Sequence, residues 1–304
     1  MTRKLAVILA LAASGFAQNR LVSSVGNFIH AVADLDRSVH FYRDVLGMEM
    51  QRPPGDWQTT DGVLKMYDAA GGQFRVGNAQ IPGSPMRVEL VEFRGVNRQP
   101  AHLQWGAAGT SVLMLTVADL AAVQERLTSA QIPVLANLKK GCDGSGLVVA
   151  DPDGFAVMIV ARGAQSPGFT GMRFGYLVSG DAIEKGPFAA LGLQAETRNP
   201  PCRPVEADLL NHGTTSIVTL PGGFEVWLVK AKGKPAGEGT LRPRDPGAAV
   251  LRLMVSDVDA AVQALQQVHT PRVSVGGAIQ TLPPAGLRAT ILRAPDNLFI
   301  QVVK

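Results

Sequence analysis

Residues 27–50 read NFIHAVADLDRSVHFYRDVLGMEM, and the order is strand, cap, helix, stop. Phe28 to Val32 is a short apolar run. Asp34 is a good N-cap, because its carboxylate can accept from the free N–H groups of a first helical turn. Val39, Tyr42, Val45 and Leu46 then recur at three- and four-residue steps, the spacing of one helix face. Gly47 supplies the C-terminal stop.

The same order recurs three times further on. Ser111 to Val117 is an apolar strand, Asp119 caps the next helix, and Leu120, Val123 and Leu127 share its face. Arg173 to Ser179 leads to Asp181, which with Glu184 forms a capping box; that helix is broken at Gly186-Pro187 and ends at Leu191-Gly192. Ala249 to Val255 leads to Asp257, with Val258, Val262 and Leu265 at helical spacing. Short β-rich runs follow each helix, so the unit is strand, helix, then about three strands. Asp119 and Asp257 lie 138 residues apart, in the matching stretches GTSVLMLTVADLAAVQERL and GAAVLRLMVSDVDAAVQAL. Such self-similarity at a fixed offset argues duplication. One unit cannot bury both faces of its own sheet, so pairing of units is physically required.

The pattern Asp34-Leu35-Asp36-Arg37-Ser38, Phe41-Tyr42, Leu46-Gly47 resembles the opening of the vicinal oxygen chelate superfamily, which holds glyoxalase I, bleomycin-resistance proteins and extradiol dioxygenases. The resemblance covers nearly all of the chain after its first residues. It implies an α+β fold of two tandem domains, each of two paired βαβββ modules whose curved sheets surround a cavity. Taken in consecutive pairs, the units give domains at 24–163 and 171–304, joined by a linker at 164–170 that holds Gly, Ser and Pro.

Residues 1–17 stand apart. Arg3 and Lys4 open them, Leu5 to Phe16 is apolar, and Gly15-Phe16-Ala17 is a small-residue cleavage pattern, which together read as a secretory signal peptide. The apolar run is well short of the ~20 residues that span a bilayer. The expected location is periplasmic or extracellular, with no membrane attachment after removal. The 304-residue chain carries a formal +4, of which Arg3 and Lys4 supply two. No Lys/Arg cluster with interleaved aromatics is present, so nucleic acid is not an expected partner. Cys142 and Cys202 fall in different halves and give no disulfide framework. The chain contains no HExxH, CxxC or G-x-S-x-G pattern, and Gly144-Ser145-Gly146 lacks the rest of a dinucleotide loop.

Relatives of the glyoxalase kind carry four metal ligands per cavity, His, Glu or Gln, on the first and last strand of each module. Carried onto this chain, the first-strand position is seven residues before the capping Asp. The eight positions are Asn27 and Glu89, Val112 and Met158, Phe174 and Trp227, Val250 and Gln301. Glu89 alone is an ordinary ligand type, and Asn27 and Gln301 are weak oxygen donors. The metal centre is therefore expected to be degenerate, with no cofactor, although a divalent ion at Glu89 stays open as an alternative. Period-two alternation puts His30 on the opposite face from Asn27. A hydrogen-bonded packing role is the bland reading of His30; a bulge would bring it into the cavity. His40, His102, His212 and His269 are scattered.

Alternation yields two cavity-facing sets. The first holds Asn27, Ile29, Ala31, Arg87, Glu89, Val91, Met114, Thr116, Ala156 and Met158. The second holds Phe174, Tyr176, Trp227, Arg252, Met254, Phe299 and Gln301. Glu89 at mid-strand needs compensation by Arg87, Asn27, a ligand or a metal, since a lone buried carboxylate is costly. The ligand-binding candidates are Asn27, His30, Arg87, Glu89, Tyr176, Trp227, Arg252 and Gln301, with Glu89 the catalytic candidate should there be catalysis. The functional expectation is an exported protein, monomer or homodimer, that binds a small organic molecule. The alternative is a lyase or dioxygenase using a metal at Glu89 with His30 or Asn27.

Overall fold

The computed structural model describes residues 20–80, 86–101, 105–141, 144–161, 169–178, 186–197, 215–231, 240–268, 270, 272–274 and 277–304. The leader at 1–17, residues 164–168 of the linker, the Asp181–Glu184 capping box, both cysteines, and His102, His212 and His269 lie outside the described residues.

The opening stretch folds as its pattern predicts. Strand β1 is Val22–Val32 and helix α1 is Leu35–Val39. The Asp34 carboxylate accepts from the Arg37 N–H at 3.0 Å, so the cap is made by the side chain expected to make it. The helix continues as a π-helical turn over His40–Val45. Val39, Tyr42, Val45 and Leu46 are all buried. Gly47 ends the turn at φ +83°, a conformation that favours glycine. Strands β2 (Glu49–Arg52), β3 (Gln73–Gln80) and β4 (Arg87–Arg94) complete the module, with a short helix α2 (Asp61–Met66) between β2 and β3.

The second module holds β5 (Ser111–Val117), α3 (Leu120–Ser129), β6 (Val134–Gly141), β7 (Gly144–Ala150) and β8 (Ala156–Ala161). The third holds β9 (Phe169–Val178), α4 (Pro187–Ala190), β10 (Ala195–Thr197), β11 (Thr215–Thr219) and β12 (Glu225–Lys230). The fourth holds β13 (Ala249–Val255), α5 (Val258–Gln267), β14 (Gln280–Leu282), β15 (Leu287–Arg293) and β16 (Phe299–Val303). Asp119 and Asp257 cap α3 and α5 through bonds from Ala122 N and Ala260 N. Within every module the first and last strands run parallel and adjacent.

These modules build two eight-stranded curved sheets, an α+β architecture of paired βαβββ units. The pairing itself differs from the consecutive one expected. The first sheet runs β14-β15-β16-β13-β1-β4-β3-β2, which joins the first module to the fourth. The second runs β10-β11-β12-β9-β5-β8-β7-β6, which joins the second to the third. The joints are antiparallel contacts between first strands, β1 with β13 and β5 with β9. All four first strands are apolar, so side-chain pattern alone does not choose among partners.

Alternation splits each sheet into two faces. Phe28, Leu113, Phe174, Tyr176 and Leu251 join the main core, which also takes up the helices. The two sheets meet there, with the Phe28 ring 5.1 Å from that of Phe174 and 5.6 Å from that of Phe155. Ile29, Val91, Val250 and Phe299 line the other face of the first sheet, where Leu64, Met66 and Tyr67 from the α2 segment pack over them. Val112, Met114, Met158 and Trp227 line the corresponding face of the second.

Each half of the chain therefore supplies half of each sheet. Cutting the chain between the second and third modules should leave two fragments that co-elute in gel filtration, and neither alone should unfold cooperatively. Two fragments that separate as independently folded units would contradict this pairing.

Candidate functional site

The polar residues of the first sheet's inner face converge at one place. Glu89 stands on β4, directly opposite Asn78 on β3. On its other side, the Asn27 amide of β1 donates to Glu89 Oε2 at 2.8 Å. Arg252 reaches the same carboxylate from β13, with Nη1 donating to Oε2 at 3.0 Å and Nη2 to Oε1 at 2.9 Å. Its Nε donates to Gln301 Oε1 at 2.6 Å. The Gln301 amide in turn faces Met66 Sδ at 3.0 Å.

Arg252 has to pass over β1 to make this contact. The β1–β13 register is irregular between Val25 and Phe28, and Gly26 lies in that irregularity. A Cβ at Gly26 would stand 2.6 Å from Arg252 Cδ and 2.7 Å from Cγ. Gly26 is the residue whose missing side chain lets the stem through, a close approach of the kind that glycine in a strand marks. Burial by itself disfavours the Glu89 charge, but the Arg252 guanidinium and its hydrogen bonds, with Asn27 and the charge of Arg52, hold the carboxyl below its usual range.

Four of the expected positions, Asn27, Glu89, Val250 and Gln301, thus share one face of one sheet, brought together by the first-to-fourth pairing. Arg87, expected to balance Glu89, is exposed one alternation away along β4; Arg252 takes that part because the pairing places β13 beside β1. Two buried oxygens nearby, Tyr67 Oη and Asn78 Oδ1, have no hydrogen-bond partner. Tyr67 Oη interacts electrostatically with the guanidinium but makes no bond of good geometry. Burial first, and then the Glu89 charge, push its phenol upward.

The fit of a metal here is poor. Both oxygens of Glu89 are already bound by a cation, and Val250 has no donor atom. A guanidinium fork matches a carboxylate bidentately and does not lose its charge, so the cationic place is filled by this chain's own side chain.

The inner face of the second sheet is apolar apart from one ion pair, Arg173 Nε with Glu225 Oε2 at 3.3 Å. Trp227 lies there, donating from Nε1 to Glu225 Oε2 at 2.9 Å, with the Arg173 guanidinium 5.5 Å from its ring centroid. Phe174 and Tyr176, expected inside this cavity, instead face the core between the sheets. Gly175, one residue on, is the residue opposite both Val112 and Trp227. Counting back from Asp181 is one residue out in the third module, and one residue reverses the face. The Tyr176 hydroxyl donates to the Asp296 carbonyl, which belongs to the turn ahead of β16.

His30 sits on the other face of β1 from Asn27, fully buried, as alternation requires. A metal at Glu89 shared with His30 is therefore ruled out by geometry. His30 Nε2 lies 2.7 Å from Asp151 Oδ2, and Nδ1 lies 3.2 Å from the Ala248 carbonyl. Tyr42 Oη donates to the same Asp151 oxygen at 3.2 Å, and the N–H groups of Asp153 and Phe155 donate to the other. Asp153 accepts from Ala33 N and Arg37 Nη2, each at 3.2 Å. The turn Asp151-Pro152-Asp153-Gly154 thus clamps the second sheet to the start of the first. Nothing local in the sequence marks Asp151 as a partner of His30, 121 residues away.

His30, Asp151 and Asp153 bring three ligand-type atoms within 4.8 Å of one another. Their spacing is that of hydrogen bonding. Two ligands bound tetrahedrally at about 2.1 Å from a metal stand roughly 3.4 Å apart, whereas Nε2 and Oδ2 are at 2.7 Å. Both imidazole nitrogens face acceptors, which suits the imidazolium. Burial alone would lower the His30 pKa, but the Asp151 charge and hydrogen bond, the Asp153 charge and the Ala248 carbonyl raise it above the ordinary value.

The sign of the pH dependence follows. A raised folded pKa contributes stability that is full below the unfolded value, about 6.5, and is lost as pH rises through the folded one. As pH rises above about 6.5, the thermal unfolding midpoint of the native chain should fall more steeply than that of His30→Gln. At acidic pH the substitution should cost about 3–5 kcal/mol, as breaking a buried pair does. Parallel pH profiles for the two proteins would contradict the clamp.

Residues 24–159 match the family model described as Glyoxalase/Bleomycin resistance protein/Dioxygenase superfamily. Among solved structures the chain is similar to glyoxalase I from Zea mays, with a TM-score of 0.64, 15% identity, and coverage of 94% of this chain and 92% of that one. It is also similar to a candidate dioxygenase from Bacillus subtilis subsp. subtilis str. 168, with a TM-score of 0.58, 11% identity, and coverage of 93% and 86%. At such identities the likeness is one of fold. No curated protein sequence matches it significantly.

Proposed function

We propose that this chain, a member of the Glyoxalase/Bleomycin resistance protein/Dioxygenase superfamily, is an exported protein that binds a small organic molecule on the inner face of its first sheet without a metal ion. The observation that carries this reading is the double contact of Arg252 with both oxygens of Glu89. The carboxylate best suited to hold a metal is occupied by a cation that does not leave as pH changes. Around it the face is apolar, with Ile29, Val91, Val250 and Phe299, so that a few polar groups stand within a hydrophobic setting. That combination is what small-molecule sites offer.

The residues divide the work. The apolar residues, covered by Leu64, Met66 and Tyr67, exclude water from beneath the polar row, and the ligand reaches that row where Arg252 and Glu89 stay partly exposed. Asn27, Glu89, Arg252 and Gln301 form one hydrogen-bonded row that orients its polar end. Glu89, tied down as an acceptor, is poorly placed to accept a proton from a substrate, and this favours binding over catalysis. Export rests on the basic start, apolar run and small-residue boundary of residues 1–17. Among the described residues no helix is long and apolar enough to cross a membrane.

The chain purified from the export fraction should begin near Gln18. After dialysis against a chelator, it should still be stabilised by at least one member of a small-molecule library. At a ligand concentration 100-fold above Kd the gain is about 2.7 kcal/mol, and added chelator should not alter it. Stabilisation that vanishes with chelator and returns with zinc, nickel, manganese or iron would overturn the metal-free reading.

A further inference from the structure

We propose that the first sheet's cup takes a small organic carboxylate, gripped by the Arg252 guanidinium and the Tyr67 hydroxyl, and that Glu89 occupies the ligand's place until it arrives. This deepens the binding reading above and rests on it.

Arg252 is installed with care. Gly26 leaves room for its stem, and Gln301 fixes Nε at 2.6 Å. The guanidinium is thereby held at one orientation, and its two Nη atoms each donate only one hydrogen to Glu89. Each Nη carries a second hydrogen. The pair is not sealed: 21% of the Arg252 side chain and 14% of that of Glu89 remain exposed. A planar, bidentate anion is what such a fork recognises best, and Glu89 itself demonstrates the geometry.

Tyr67 is the second, independent observation. It is 2% exposed, and its hydroxyl sits beside the guanidinium with no hydrogen-bond partner. A buried hydroxyl without an acceptor carries the full desolvation penalty. A carboxylate on the guanidinium would supply that acceptor. Two further cations stand near the same face. The charge of Arg52 reaches Glu89, and Arg87 lies one alternation along β4. Neither has an ion-pair partner among the described residues, so both attract anions toward the cup.

Because the ligand and Glu89 compete for one guanidinium, removing the Glu89 charge should tighten binding. Isothermal titration with acetate, 2-oxobutyrate, benzoate and phenylpyruvate, each beside its primary amide, and with inorganic phosphate, tests this. At least one acid should bind, with its amide at least tenfold weaker. Glu89→Gln should bind that acid at least tenfold more tightly than the native chain. The double variant Glu89→Gln/Arg252→Met removes both members of the buried pair together, and it should fold yet lose the preference for acid over amide. Amides that bind as well as acids, phosphate that binds better, or a preference that survives the double variant would overturn the carboxylate assignment while leaving a small-molecule binder. Binding by none of these compounds in either the native chain or Glu89→Gln would overturn the carboxylate assignment, and the small-molecule reading itself falls only if the library screen also yields no stabilising compound.

Discussion

Arg252 crossing β1 to bind Glu89 is the contact on which the first sheet's inner face depends. It joins β13 to β4 over the strand between them, so it ties the fourth module to the first by a side-chain bridge as well as a backbone ladder. Three things make it possible. Gly26 is missing a side chain where the stem passes, the β1–β13 register slips there, and Gln301 anchors Nε. A methyl group at Gly26 would force overpacking of the kind that costs about 1–3 kcal/mol. The bridge also decides the chemistry, since a fixed organic cation now stands among Asn27, Glu89 and Gln301.

The opposite face of the same strand does a different job. Asn27 and Ile29 point into the cup, whereas Phe28 and His30 point toward the second sheet. His30 joins three parts of the chain through Ala248 and Asp151, and Arg37 and Ala33 hold Asp153 beside it. A comparable contact recurs between the other modules, where Tyr176 meets the turn at Pro295 and Asp296. The sheets are therefore fastened by a turn from one reaching the first strand of the other.

Much of this was legible in the sequence. The caps at Asp34, Asp119 and Asp257, the buried faces of their helices, and the strand-helix-three-strand unit follow from local rules. So did the opposed facing of Asn27 and His30. What was not legible is non-local. Four similar apolar first strands do not reveal which two pair, and with that pairing went the partner of Glu89: Arg87 is near in sequence, but Arg252 is near in space. The one-residue offset in the third module carried Tyr176 to the wrong face. Asp151 looked like any turn aspartate, because its function is set by His30, to which nothing in the intervening chain connects it. Tyr67 and Asn78 carry no sequence signal, because only their unpaired buried oxygens mark them.

The claim that a guanidinium stands where relatives of this fold are expected to hold a metal is tested most directly by diffraction. Crystals of the native chain grown or soaked with excess zinc would be measured on both sides of the zinc absorption edge. The account predicts no anomalous peak among Asn27, Glu89 and Gln301, with Arg252 ordered between the two strands and bonded to both Glu89 oxygens. An anomalous peak within ligand distance of Glu89, with Arg252 turned away, would contradict it.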